Sequence, residues 1–133
     1  MTRRELREHV MRLIFMSSFY GEDEYEEQFR YYVDAKEIPG EYLEELHSRY
    51  FAVIEKIPEI DELIAKNSSG WKPERMPKED LAIIRLAVYE IKFDDAVPDK
   101  VAINEAVELA KLYGEEKSPS FINAVLGKIS PRK

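Results

Sequence analysis

The sequence predicts an all-α protein, a bundle of about six or seven helices in a single domain spanning residues 1–133. Two observations support this prediction. Apolar residues recur every three or four positions along most of the chain, which is helical spacing, and no stretch alternates helical with strand-like patterns. Most of the prolines and glycines fall between the periodic stretches, where short connections are needed.

The first predicted helix begins after Thr2, which can cap it, and reaches to about Tyr20. One side of this helix is apolar and is expected to be buried. Winding of about 100° per residue places a second strip beside the buried side. Cations next to an aromatic ring can contact phosphates and stack bases of single-stranded RNA, although Phe15 packing in the core is the commoner outcome. The cations and apolar residues on or beside this strip are Arg3, Arg4, Arg7, Met11 and Phe15.

The middle of the chain is acidic and is predicted to be scaffold. A short helix follows Gly21, and a third helix begins near Glu41. Pro58 interrupts the third apolar pattern, so we expect a brief separate helix after it. Residues 68–77 are predicted to form a long loop, in which Trp71 is expected to plug one end of the core, with ligand stacking as the minority alternative.

The fifth helix is predicted from about Pro77 to Phe93 and has the strongest amphipathic pattern in the chain. Arg85 could reach an acidic partner in this chain or in another, which the sequence leaves open.

Residues 98–129 predict two helices joined by a tight turn, the expected centre of the core. Gly114 follows the apolar pattern of the first of these two helices, where we expect a left-handed C-terminal cap. Ser118 is expected to cap the last helix. Lys117, Phe121 and Asn123 lie around the start of that helix, where free backbone amides can hold a phosphate and an aromatic ring can hold a base. The alternative is that Ser118 only caps and Phe121 only packs.

The composition excludes several classes of function. The chain has no cysteine, and its two histidines lie far apart in sequence, so no metal and no cofactor are expected. No motif of a phosphate-binding loop, a metalloprotease or a serine hydrolase is present, so the protein is not expected to be an enzyme. No export signal and no membrane-spanning run is found, which predicts a cytoplasmic protein without membrane contact.

Charge is unevenly distributed along this acidic chain, whose formal net charge is −7. Residues 1–20 carry +2 and residues 21–62 carry −10, while the remainder carries +1. A local basic patch on an acidic body suits selective contact with nucleic acid, and a solvated helix end is the plainer alternative.

Three stretches resemble the NusB family of transcription antitermination factors. They are RRELREHVMRLIF at 3–15, Trp71 with Arg75 followed by DLAIIRLAVYEI at 80–91, and VPDKVAINEAVELAKLYGEEKSPSFINAVL at 97–126. The resemblance implies an all-helical protein that binds boxA-type leader RNA together with the small-subunit ribosomal protein NusE. Such proteins help RNA polymerase, within an antitermination complex, to resist termination, notably in ribosomal RNA transcription.

The family pattern also implies which residues meet each partner. Phe15 stands where a tyrosine is common, Lys117 where an acidic residue often occurs, and Ala124 where glycine is frequent. The contacts implied for RNA are Arg3, Arg4, Arg7, Phe15, Lys117, Ser118, Phe121 and Asn123, and those implied for the protein partner are Asp80, Ile84 and Arg85.

Two other functions stay open from the sequence. One is a helical accessory domain like that of some RNA cytosine methyltransferases, which would require a catalytic domain. The other is a self-associating helical scaffold, suggested by the apolar stripe of the fifth helix. Monomer and homodimer both remain open.

Overall fold

The computed structural model of the protein describes residues 1–131. This part of the chain contains six α-helices, three short 3₁₀ turns and no strand, which confirms the predicted all-α bundle. The helices are α1 (Arg3–Ser17), α2 (Tyr25–Ala35), α3 (Leu43–Asn67), α4 (Lys78–Phe93), α5 (Asp99–Tyr113) and α6 (Ser118–Ile129). The 3₁₀ turns are Glu22–Glu24, Gly40–Tyr42 and Pro73–Arg75.

Helix α1 begins as its sequence predicts. The Thr2 hydroxyl accepts from the Glu5 amide at 3.0 Å, and the Glu5 carboxylate accepts from the Thr2 amide at 2.7 Å, which is a complete capping box. The helix ends at Ser17 rather than near Tyr20. Met11, predicted to lie on the outer strip, is 2% exposed and belongs to the core.

Helix α3 runs without a break through Pro58, so the predicted separate helix after this proline is wrong. Pro58 lies on the exposed side of α3, where the carbonyl that loses its partner can be solvated. Val53 on one side of the proline and Ile60 and Ile64 on the other are all buried in the same core. Tertiary packing on both sides therefore keeps the helix continuous where local preference would end it.

Helix α4 is the centre of the molecule. It packs against α1, α3, α5 and α6, and most of its residues are buried. The α5–α6 hairpin forms as predicted, but the core is organised around α4 rather than around the hairpin. An amphipathic pattern shows that a helix is buried on one side, and only the tertiary structure shows how many neighbours surround it.

The turn between α5 and α6 uses glycine for its lack of a side chain. Gly114 has φ −94° and ψ −173°, which is extended backbone, so the predicted left-handed helix end is wrong. A Cβ atom at this position would lie 2.6 Å from the Ser118 Cβ and Oγ and 2.9 Å from the Ala110 carbonyl oxygen. Glycine is needed here because α6 begins almost in contact with the end of α5.

Within residues 1–131, no helix has the length and apolar character needed to cross a bilayer. The same residues contain no group of three or more acidic or histidine side chains that could hold a metal ion.

Candidate nucleic-acid interface

The three arginines of α1 that were predicted to contact RNA reach three different helices. Arg3 donates to Glu45 of α3 at 2.8 Å, and Arg4 donates through Nε and Nη2 to Glu105 of α5 at 2.9 and 2.7 Å. The strip predicted as a free cationic edge is therefore paired with carboxylates. Because these partners are distant in sequence, helical winding of α1 alone could not reveal them.

Arg7 lies inside the protein. Its side chain is 14% exposed, its Nε donates to both Glu90 carboxylate oxygens at 3.2 and 3.0 Å, and its Nη1 lies 3.6 Å from Glu105. Burial raises the pKa of Glu90, and the hydrogen bond from Arg7 opposes this shift. Arg7 thus joins α1 to α4 and α5, which corrects the prediction that it lies on an exposed edge.

Arg4 differs because its side chain remains 65% exposed while Glu105 holds it. Glu105 contacts the edge formed by Nε and Nη2, so the donors of Nη1 point away from this carboxylate. The hydrogen bond from Arg4 lowers the pKa of Glu105, which keeps the carboxylate ionised and the guanidinium oriented. A guanidinium held in this way can offer its outer edge to a phosphate group.

A shallow groove joins α1 to the α5–α6 hairpin. It brings together Arg4 and Asn123, which are both predicted RNA contacts although they lie 119 positions apart in the sequence. Asn104 and Ser120 line the same groove. Glu105 and Glu108 also line it, so its charge is mixed.

One exposed surface of α6 continues from this groove. At about 100° per residue, Asn123 and Phe121 fall on opposite borders of the exposed side of the helix. Two lysines and three small residues lie between those borders, and we call them the α6 surface. They are Lys117, Ser120, Ala124, Gly127 and Lys128, all of them exposed.

Ser118 does not cap α6. Lys117 occupies the cap position, and Ser118 is the first helical residue, 5% exposed. Its hydroxyl donates to Asp80 of α4 at 3.0 Å and accepts from the Glu115 amide at 2.9 Å. The predicted cap is wrong because this hydroxyl is bonded to the buried Asp80 carboxylate instead.

The residues predicted to meet a protein partner are mostly internal. Asp80 is 5% exposed, and burial raises its pKa. Ile84 is 0% exposed, so it has no surface with which to touch a partner directly. Arg85 is 13% exposed along its side chain and forms a bidentate pair with Asp61 of α3 at 2.9 and 2.8 Å.

Both predicted phenylalanines keep part of their surface accessible. Phe15 is half-buried and meets Phe19 edge to face at a centroid distance of 5.2 Å. Phe121 is half-buried and meets Trp71 in the same manner at 6.3 Å. Trp71 is 53% exposed, so the prediction that it plugs the core is wrong. Phe19 is an exposed aromatic that the sequence patterns did not single out, and the exposure of Trp71 fits the minority alternative of ligand stacking.

Comparisons with known proteins agree on one family. The NusB family profile matches residues 4–131. Transcription antitermination protein NusB of Lachnoclostridium phytofermentans is 53% identical over 130 residues, which cover 97% of this chain and 98% of that protein. The fold is similar to that of T. maritima NusB, with a TM-score of 0.88, 30% identity, and coverage of 99% of this chain and 92% of that one. It is also similar to a chain in the crystal structure of antitermination factors NusB and NusE in complex with dsRNA, with a TM-score of 0.83, 26% identity, and coverage of 96% and 94%.

Proposed function

The chain belongs to the NusB family, and from this we propose that it is a transcription antitermination factor. It binds boxA-type leader RNA together with the ribosomal protein NusE and helps RNA polymerase resist termination, notably in ribosomal RNA transcription. It acts in the cytoplasm as an RNA-binding factor rather than as an enzyme. The observation that carries this proposal is the family match over nearly the whole chain, residues 4–131.

The proposed RNA path begins at Arg4 and crosses the α6 surface. Arg4 offers the outer edge of its guanidinium to a phosphate, and Lys117 adds an exposed ammonium group at the start of α6. Asn123 lies on one border of this surface, where its amide can reach a base or a sugar. Phe121, on the other border, has a partly exposed ring for stacking.

The remaining predicted residues support this path to different degrees. Arg3 is 72% exposed along its side chain and can reach a second phosphate. Phe15 can stack a base together with Phe19. Arg7 and Ser118 act indirectly, since Arg7 fixes α1 on α4 and Ser118 fixes the start of α6 on Asp80.

For the protein partner, we propose that α4 lies mostly beneath the contact surface and supports it through buried residues. Arg85 is the only one of the three predicted residues whose side chain exceeds a tenth exposure within residues 1–131. Asp80 and Ile84 position the helix and its neighbours. A partner that uses Arg85 must share it with Asp61, which already occupies two of its donors.

The decisive experiment is a titration of labelled boxA-type RNA with the protein, with and without NusE, at several salt concentrations. Arg4→Gln is expected to weaken RNA binding by about tenfold, since one charge-assisted contact contributes about 1.5 kcal/mol. The slope of log affinity against log salt should fall by about 0.7, because one fewer counterion-releasing contact is made to the single strand.

Arg30→Gln is the matched control, because Arg30 is an exposed arginine on α2 outside the groove. A duplex of the same sequence should bind more weakly than the single strand, since stacking on Phe121 needs an unpaired base. Absence of RNA binding both with and without NusE would contradict the proposed function. An unchanged affinity and salt slope in Arg4→Gln would contradict only the placement of Arg4 at a phosphate.

A further inference from the structure

Trp71 is displayed outside the core by a tight turn. Ser68 begins the turn, Ser69 and Gly70 have φ of 53° and 88°, and the Trp71 amide donates to the Ser68 carbonyl oxygen at 3.1 Å. Positive φ at both central residues is characteristic of a type I′ turn, which has little conformational freedom. The Ser68 hydroxyl also donates to the Trp71 carbonyl oxygen. The backbone of this tryptophan is therefore held in place although its ring is 53% exposed.

The ring of Trp71 has one aromatic neighbour and an open remainder. Phe121 contacts it edge to face, with an interplanar angle of 68°. Lys128 donates to the Ser69 hydroxyl at 3.1 Å, which places its ammonium group on the same turn. Tryptophan is the largest apolar side chain, and an exposed one beside a second ring and a cation has the components that stack and neutralise an unpaired nucleotide.

The two segments that meet at Trp71 are cationic within an acidic protein. Residues 66–78 contain four lysines and arginines against one glutamate, and residues 117–131 contain two lysines and no acidic residue. The whole chain has a net charge of −7. This local excess of positive charge favours a polyanion over an acidic protein surface as the occupant.

Trp71 also continues the path proposed for RNA. Phe121 forms one border of the α6 surface, so Trp71 lies just beyond the border opposite Asn123 and Arg4. Only small side chains and lysines separate the two borders. A helix with its side chains is about 10 Å wide, so the strand has to cross only about this distance to reach from one border to the other.

We propose that Trp71 is a second base-stacking residue, which, beside Phe121, receives an unpaired base of the RNA after the strand has crossed α6. This inference rests on the proposed function and extends its binding site to the turn between α3 and α4. It commits to single-stranded RNA as the occupant, and a protein contact at Trp71 becomes an outcome of the test.

The test uses the fact that Trp71 is the single tryptophan of the chain. Its fluorescence, excited where tyrosine does not absorb, is followed while unlabelled boxA-type RNA is added, and the anisotropy of labelled RNA measures binding independently. Stacking should quench the fluorescence in parallel with the anisotropy change. Trp71→Ala should weaken RNA binding roughly tenfold, and Trp71→Phe should remain within about threefold of the parent because a ring is retained.

Tyr31→Ala is the matched control, since Tyr31 is an equally exposed ring on α2, 59% accessible, and should leave affinity unchanged. RNA binding by anisotropy without any change in Trp71 fluorescence, or with full affinity in Trp71→Ala, would overturn the inference and leave the proposed function standing. A fluorescence response to NusE alone, with none to RNA, would overturn it in favour of a protein contact. No RNA binding in either measurement would overturn both proposals.

Discussion

At the scale of single residues, Glu105 and Glu90 determine how the arginines of α1 can act. Glu90 is buried and holds Arg7 in the interior, whereas Glu105 is partly exposed and holds Arg4 at the surface. A buried charge left without its partner is strongly destabilising, while a pair near the surface costs little to separate. Arg4 is therefore free to take a second anion, and Arg7 is committed to the fold.

The first prediction concerns Glu105→Gln and acid stability. Arg4 lowers the pKa of Glu105, so this carboxylate stabilises the folded protein above its unfolded pKa of about 4.3, and the contribution is lost as the pH falls through the lower folded value. The variant should be less stable than the parent at pH 7. The difference in the free energy of unfolding, measured by urea denaturation, should shrink as the pH is lowered through this range.

Glu108→Gln provides the control, because Glu108 lies on the same helix and pairs with Lys111 at an exposed site. Its effect should stay within about 0.5 kcal/mol at every pH, as is usual for exposed helix pairs. A difference in the free energy of unfolding that does not change with pH would show that Arg4 does not stabilise the ionised form of Glu105.

Single residues also show where sequence reasoning stops. Thr2 was predicted correctly as a cap because its partner, Glu5, lies three positions away and the signal is local. Ser118 was not, because its partner Asp80 is 38 positions away on another helix. Trp71 was misplaced for a related reason, since a loop of prolines and glycine does not reveal whether its aromatic ring turns inward or outward.

At the scale of elements, the joint between α5 and α6 depends on Gly114. Gly114→Ala should lower the free energy of unfolding, because the new Cβ would lie 2.6 Å from Ser118 and 2.9 Å from a carbonyl oxygen. We expect a loss of about 1–3 kcal/mol, the usual cost of forcing an atom into a packed site. Urea denaturation of the variant would measure this loss.

Gly127→Ala is the matched comparison on α6. A Cβ atom there meets nothing within 4 Å, and the position is inside a helix. The variant should gain about 0.5–1 kcal/mol, because alanine loses less backbone entropy than glycine in a helix. Equal effects of the two substitutions would refute the steric explanation of Gly114.

The elements themselves were largely predictable, and their junctions less so. Periodicity located α1, α4, α5 and α6 within a few residues, because one apolar side of each helix faces the core. The continuation of α3 through Pro58 was missed, since the buried residues on both sides that hold the helix together belong to tertiary structure. The complete burial of Ile84 was missed in the same way, because a stripe shows that Ile84 is apolar and not that other helices cover it completely.

At the scale of the whole molecule, the acidic body and the cationic α6 surface divide the protein into two electrostatic regions. Just over half of the acidic side chains lie in residues 21–62, while residues 117–131 have none. Phosphate is therefore repelled from most of the surface and attracted to one part of it, which favours a defined orientation of bound RNA. The sequence predicted the acidic stretch but placed the basic patch in residues 1–20. The cationic α6 surface and the neighbours Arg4, Asn123 and Trp71 required the structure.

The small side chains of the α6 surface leave clearance above the helix, so a sugar-phosphate backbone can lie close to it. A larger side chain on this surface should keep the strand away from the helix without disturbing the fold. Ala124→Leu is therefore expected to reduce RNA affinity roughly tenfold, or about 1.4 kcal/mol, in the anisotropy titration. Ala35→Leu, at an exposed position of α2, should have no such effect, and both variants should keep the parent stability within a few tenths of a kcal/mol. Full affinity in Ala124→Leu would mean that the strand takes another route, whereas a progressive loss of affinity as the residue at Ala124 is enlarged would measure how far above the helix the strand passes.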